Sequence, residues 1–346
     1  MTENVRDVVI AGSGVAGLSA AVYAARGDLE PLVLEGDEPG GQLTLTTDVD
    51  NFLGFPDGVG GHELVERGKE QARSFGAEFK HGIIADADLS ERPFTLELSS
   101  GDTIETRAMI VASGASARTL GVPGEDDLMG FGLSTCATCD GAFHRGDDII
   151  VVGGGDAAME EADFLTKFAD SVTVVHRRED LRASDLLARR ARDNEDIEFM
   201  WNAEVTEILG SQDEGVSGVS VVQHPDGHPT EKLEDPERAD EVEEFEMDVG
   251  GVFYAIGHVP NTEFLEDTPV ELDDHGYLET EAGMTSETGV EGVFAAGDVM
   301  DPEYQQAITA AGTGSMAALD AEEWLTANAG EAAAEESATA STPADD

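Results

Sequence analysis

Asp7-Val8-Val9-Ile10-Ala11-Gly12-Ser13-Gly14-Val15-Ala16-Gly17 decides the fold of this chain. A strand-like run enters a Gly-x-Gly-x-x-Gly turn, an Ala-rich helical stretch follows, and Pro31-Leu32-Val33-Leu34-Glu35 returns as a second strand. That order is the dinucleotide-binding unit, in which a pyrophosphate meets the glycine turn at the positive end of a helix. The same grammar recurs. Asp148-Ile149-Ile150-Val151-Val152 passes through Gly153-Gly154-Gly155-Asp156-Ala157-Ala158 into a helix and then into Ser171-Val172-Thr173-Val174-Val175. One glycine motif alone is weak. Two copies, each in its strand-turn-helix context, predict an α/β chain with two Rossmann-like dinucleotide-binding domains.

The residues at the tips of the second strands separate the two units. In the first turn, Gly12 permits the tight bend, Gly14 opens the backbone to phosphate and Gly17 lets helix pack on strand. Glu35, 23 residues after Gly12, is placed to accept hydrogen bonds from the hydroxyls of an adenine ribose, and it repels a 2′-phosphate. FAD or NAD suits that site. The equivalent position after Gly153 is His176, followed by Arg177, Arg178 and Arg182. Guanidinium groups match phosphate geometry, so this cluster reads as a clamp for the 2′-phosphate of NADPH; a patch of surface ion pairs is the alternative.

Strand-like Phe94–Leu98 and Ala108–Ala112 lie between the units. Gly251-Val252-Phe253-Tyr254-Ala255-Ile256-Gly257 and Gly292-Val293-Phe294-Ala295-Ala296-Gly297-Asp298 read as two further buried strands, and residues 305 to 325 as a closing helix. The second domain is therefore expected as an insertion. Residues 1–117 and 250–326 would form the first domain, 118–249 the second, and 327–346 a disordered acidic tail. The Asp- and Glu-rich stretch 231–248 reads as a solvated hairpin and loop.

Composition narrows the partners. There are 74 Asp and Glu against 19 Lys and Arg, a formal net charge of −55, and the lysines are Lys69, Lys80, Lys167 and Lys232. Such a surface repels phosphate backbones and disfavours nucleic-acid binding. Screening in molar salt would remove the self-repulsion, so the acid excess reads as that of a protein from a halophilic source. No apolar run approaches the ~20 residues of a membrane span, and Met1 leads through polar residues straight into a strand with no signal-peptide pattern; a cytoplasmic location is expected.

The two cysteines sit together in Cys136-Ala137-Thr138-Cys139-Asp140. A disulfide closing so small a loop adds little to stability, and one pair with His144 does not complete a zinc site; no metal is expected. The C-x-x-C reads first as a redox-active dithiol, with Asp140 as the acid or base that moves the proton.

Taken together these residues resemble the low-molecular-weight thioredoxin reductases, over residues 6 to about 325. Gly12 to Gly17, Gly40-Gly41-Gln42-Leu43, Asn51, Ala115-Ser116-Ala117-Arg118, Cys136 to Asp140, Gly153 to Ala158, His176-Arg177-Arg178, Ala255-Ile256-Gly257-His258 and Ala296-Gly297-Asp298-Val299-Met300 carry the resemblance. It implies FAD held by Gly12, Ser13, Gly14, Gly17, Glu35, Gly41, Gln42, Asn51, Gly297, Asp298, Gln305, Gln306 and Ala307, with the closing helix pointing its positive end at the flavin. It implies NADPH on Gly153, Gly155, Asp156, His176, Arg177, Arg178 and Arg182. Cys139 would face the flavin, Cys136 would attack thioredoxin, and the protein would be a homodimer. Gln305 stands where the family commonly has Arg, and Ser184 and Asp185 also depart from its usual choices. The rival readings are a flavin-dependent reductase of another thioredoxin-fold or peroxiredoxin acceptor, and a non-catalytic redox-sensing flavoprotein.

Overall fold

The computed structural model describes residues 5–45, 49–281 and 285–339. The chain opens with β1 (Arg6–Ala11), α1 (Val15–Arg26) and β2 (Leu32–Leu34), followed by α2 (Gly61–Ser74), β3 (Glu78–Lys80), β4 (Ile84–Asp88), β5 (Phe94–Leu98), β6 (Thr103–Val111) and β7 (Ala115–Ala117). Next come α3 (Glu125–Leu128), β8 (Leu133–Ser134), α4 (Ala137–Asp140), β9 (Asp148–Gly153), α5 (Asp156–Leu165), β10 (Ser171–His176), α6 (Asp185–Asp193) and β11 (Ile197–Trp201). A meander of β12 (Ala203–Ser211), β13 (Gly215–Gln223) and β14 (Glu243–Asp248), with α7 (Pro229–Leu233) between the last two, precedes β15 (Gly251–Ala255). The chain returns through β16 (His258–Pro260) and ends with β17 (Val293–Ala295) and α8 (Ala307–Thr339).

These elements form two compact units, one from residues 5–45, 52–116 and 259 onward, the other from 49–51 and 117–258. In the first, the sheet order is β3-β2-β1-β6-β5-β4, with β17 parallel to the C-terminal half of β6. In the second, β11-β10-β9-β15-β8 is parallel throughout. Alternation along the central strands gives each sheet two apolar faces: Val8 and Ile10 pack with α1 and α8, while Val9 and Ala11 pack on the opposite face with Leu96 and Leu98. Ile149 and Val151 meet α5, while Ile150 and Val152 meet the meander. Burial on both faces explains why these strands read as unbroken apolar runs, each Val or Ile contributing ~1.5–3 kcal/mol.

Two boundaries differ from the sequence reading. The crossing expected at 249/250 lies at 258/259, because β15 pairs in parallel with β9 and β8 and so belongs to the second sheet. An apolar strand ending in Gly carries no mark of which sheet it joins. The closing helix runs as α8 to Thr339, so residues 327–339, expected as tail, carry helical backbone; Ala and Glu rank among the strongest helix formers. Residues 340–346 lie outside the described residues. Among the described residues no helix is long and apolar enough to cross a membrane.

Candidate active site

The first glycine turn is built for close approach. Gly12 has φ +113°, and a β-carbon there would lie 2.2 Å from the Ala112 carbonyl oxygen; one on Gly17 would lie 2.0 Å from the Gly12 oxygen. Gly14 meets only the Gly40 oxygen, at 3.9 Å, which leaves its backbone open to a phosphate. Ser13 is buried, and its hydroxyl accepts the Gly40 N–H at 2.9 Å, tying the Gly40–Gly41 loop to the turn. Gly41 lies against Gly14, while the neighbouring Gln42 is exposed. At the tip of β2, the Glu35 carboxylate pairs at 2.9 Å with the ammonium of Lys69, a lysine of α2 that is only 7% exposed. Nothing in the sequence reading had singled out Lys69.

Gly297 joins this cradle from the other end of the chain. Its N–H donates to the Thr313 hydroxyl of α8 at 2.9 Å, and a β-carbon on it would lie 2.8 Å from that of Ala16. Asp298 follows it, and burial, with Asp301 adding to the effect, pushes its carboxyl up to about 6. Gln305, at φ +47°, and Gln306 stand immediately before α8; the Gln306 oxygen accepts the Ala310 N–H, so Ala307 opens the first turn. The Gln305 amide reaches the Tyr277 hydroxyl at 3.4 Å. Asn51 is exposed and falls with residues 117–258, so the structure does not gather it with these residues.

The second cradle repeats the backbone and changes the side chains. Gly153 sits against the Ala255 carbonyl, which a β-carbon would approach to 2.4 Å, and Gly155 has open space before it. Asp156, the first residue of α5, accepts the Ser184 N–H at 2.6 Å, and Arg182 N–H donates to the Gly154 oxygen at 2.7 Å; together they fold the 180–184 loop over the turn. Ser184 then precedes α6, with Asp185 in its first turn, which gives both departures from the family a structural place. His176 is buried under Gly154, edge-on to Trp201, with its Nε2 on the Asp180 carbonyl at 3.1 Å. Burial, supported by Arg178, Arg182 and Arg177 and opposed by that hydrogen bond, holds its pKa down. A neutral, enclosed imidazole shapes the loop from beneath, while Arg177 and Arg182 are exposed and Arg178 half-buried.

Cys136 and Cys139 form a disulfide across α4, with Cα atoms 5.3 Å apart. Ser134, at the end of β8, binds both sides of this turn. Its hydroxyl donates to Asp140 Oδ2 at 2.5 Å and accepts the Cys136 N–H at 3.0 Å. Burial raises the Asp140 pKa, with the Ser134 hydrogen bond and the nearby His144 acting against it. The Thr138 hydroxyl lies 3.4 Å from Cys136 Sγ. Elsewhere in the unit, Glu161 of α5 is a further residue the sequence did not flag: burial pushes its carboxyl up to about 8. No group of three potential ligands could hold a metal among the described residues.

One unit carries the disulfide and each carries a glycine turn of the nucleotide-binding kind, and the comparisons match the chain to one family of enzymes. The model of the pyridine nucleotide-disulphide oxidoreductases matches residues 6–314. A thioredoxin reductase of Mycolicibacterium smegmatis is 50% identical over 324 residues, covering 94% of this chain and 98% of the relative. The chain belongs to the thioredoxin reductase family. Within that family, a bifunctional thioredoxin reductase/thioredoxin of Mycobacterium leprae is 46% identical over 333 residues, 96% of this chain and 69% of the relative. The solved structure of the thioredoxin reductase from Giardia duodenalis superposes with a TM-score of 0.84 at 38% identity, covering 94% of this chain and all of that one. These enzymes use FAD and NADPH. The open backbone before Gly14 and Gly155, the helix starts that follow both turns, and the half-buried Asp298 fit two such nucleotides.

Proposed function

We propose that the chain reduces the disulfide of thioredoxin with electrons taken from NADPH. The observation that carries this reading is the Cys136–Cys139 disulfide set beside the half-buried carboxyl of Asp140, in the same unit as an arginine-flanked nucleotide turn. The relative that carries thioredoxin in its own name supports the choice of partner.

Bound FAD supplies a two-electron relay between a nicotinamide hydride and a disulfide. The chain's part is to seat the two nucleotides and to manage the sulfurs. Gly12, Ser13, Gly14 and Gly17 would hold the FAD pyrophosphate, Glu35 the adenine ribose, Asp298 the ribityl hydroxyls, and the start of α8 at Gln305, Gln306 and Ala307 the flavin end, with Gly41 and Gln42 contributing from the loop after Glu35. Gly153, Gly155 and Asp156 would hold the NADPH pyrophosphate, and Arg177, Arg178 and Arg182 its 2′-phosphate, with His176 supporting their loop.

Two electrons break the Cys136–Cys139 bond, and the sulfurs take up protons on becoming thiols. Cys136, with the Thr138 hydroxyl 3.4 Å from its sulfur to stabilise a thiolate, attacks the partner disulfide. Cys139 then attacks Cys136 in the mixed disulfide, restores the internal bond and releases the partner as a dithiol. Asp140 gives a proton to the departing sulfur and accepts one from the next thiol; its raised pKa brings it nearer the range where both transfers are cheap. Cys139 stands 14 residues before Gly153 in the same unit, so its disulfide and a nicotinamide would compete for one flavin face. We infer that turnover alternates two poses of the units about β7 and β16.

The test is to purify the protein in molar KCl, record its visible spectrum and follow NADPH oxidation with and without thioredoxin. A yellow protein whose NADPH oxidation requires thioredoxin is expected; a preparation that stays colourless after FAD reconstitution, or oxidation indifferent to thioredoxin, overturns the proposal. The acid excess supports a high-salt habitat, for which a melting midpoint that rises from low to molar KCl is the expected sign. A homodimer rests on the family resemblance, and sedimentation at that salt would reveal a monomer.

A further inference from the structure

The stretch from His224 to Lys232, at the edge of a segment whose sequence reads as solvated loop, folds back onto the arginine cluster. His228 N–H donates to the Arg177 carbonyl at 2.8 Å, and Arg178 Nε donates to His228 Nε2 at 3.2 Å. Asn202, just past the end of β11, reaches the Arg178 carbonyl through its N–H at 3.4 Å. The segment is pinned in turn: Lys232 donates to the Gly227 carbonyl, and His228 holds a left-handed backbone at φ +48°.

The chemistry of this contact has one solution. Arginine has no acceptor, so an imidazole nitrogen that takes its Nε–H must be the unprotonated one. The imidazole proton then sits on Nδ1, which makes no hydrogen bond within the protein, with Glu231 Oε1 3.4 Å away. Held by Nε, the Arg178 guanidinium keeps both terminal amino groups for another oxyanion, which is the edge that grips a phosphate.

We propose that His228 is a positioning residue for Arg178, and that its hydrogen bond with Arg178 Nε sets the preference of the second cradle for a 2′-phosphorylated nucleotide. The proposal rests on the reading of that cradle as an NADPH site and adds to it a determinant supplied from outside the Arg177–Arg182 loop. The charged groups around the imidazole are Arg178 on one nitrogen, Glu231 on the other and Lys232 at its carbonyl, 3.5 Å away.

The experiment compares His228→Ala with His228→Gln in the full chain. Both keep a β-carbon in the same left-handed conformation, so backbone strain is matched, while only Gln offers an acceptor close to the position of Nε2. Calorimetry with adenosine 2′,5′-bisphosphate and with 5′-AMP reads binding directly, and KM for NADPH and NADH reads it in turnover. His228→Ala is expected to weaken the bisphosphate and raise the NADPH KM about tenfold, with kcat and the 5′-AMP and NADH values moving less than twofold. His228→Gln should recover most of the loss. Equal losses for both ligand pairs, no loss in the Ala variant, or no recovery by Gln would overturn the positioning role. Arg178→Ala is the control: if it too leaves the bisphosphate unaffected, the 2′-phosphate reading fails; if it weakens the bisphosphate while His228→Ala does not, only the present proposal fails.

Discussion

The two nucleotide cradles share a backbone and part company at the side chains. Each has a glycine wedged against a neighbouring strand's carbonyl, at Gly12 under Ala112 and at Gly153 under Ala255, and each leaves the next position but one open. Beyond the second strand the first cradle presents Glu35 neutralised by an enclosed Lys69, whereas the second presents three arginines over a buried, neutral His176. On the proposed reading, phosphate binding would be a property of the turn, and the choice between nucleotides would belong to residues that the turn does not contain. Only the second cradle has a disulfide in its own unit.

The sharpest way to break the comparison is to disable that disulfide. Cys139→Ser should bring thioredoxin reduction to background while the protein still binds FAD and is still reduced by NADPH in a stopped-flow experiment; residual thioredoxin turnover would place the redox centre elsewhere. Next in size, replacing Arg177 and Arg178 by Ala should raise the KM for NADPH about a hundredfold and that for NADH less than threefold. Equal effects would return the arginines to the ordinary surface.

The first cradle is probed through its concealed pair. Lys69→Met leaves Glu35 without its cation in a largely enclosed site, and the melting midpoint of the apoprotein should fall by ~5 °C, with FAD binding weakened about tenfold; Lys69→Arg should keep both. An unchanged midpoint would make the pair ornamental. The smallest effect concerns pH. The Asp298 carboxyl is protonated below about 6 in the apoprotein, and ribityl hydroxyls donate best to its ionised form. FAD affinity should therefore drop severalfold from pH 7.5 to pH 5 with proton release on binding, and Asp298→Asn should flatten the profile. In the apoprotein the raised pKa means stability is lost as pH climbs from the unfolded carboxylate range through about 6, and the Asn variant should lack that loss.

How much of this was legible follows from distance along the chain. The turns at Gly12 and Gly153, the strands around them and the Cys136–Asp140 run are local, so their spacing exposes them. Lys69 is 34 residues from Glu35, on a helix whose other charged residues face water, and composition gives no sign that this one turns inward. His228 stands just before an acidic stretch, and its proposed role comes from contact with Arg178, 50 residues earlier. Ser134 precedes the cysteine motif by two residues, where a lone serine is too common to draw notice, yet its hydroxyl joins Cys136 to Asp140. The misplaced crossing has the same origin: β15 and β17 both read as short apolar strands ending in glycine, and only pairing assigns one to each sheet.

The nesting of one unit inside the other orders events during synthesis. Residues 117–258 leave the ribosome as an almost uninterrupted stretch, so the sulfur-bearing half can close its sheet as soon as β15 emerges. The other unit, split around it in sequence, must wait. The Met109–Val111 end of its β6 lacks the neighbour on one side until β17 is made, and α1 lacks its cover until α8 follows, which leaves part of the nascent first third exposed throughout translation of the insert. Early ribosome-bound chains should therefore recruit holdase chaperones to the N-terminal segment, and FAD should be captured only after Thr313 has appeared to fasten Gly297.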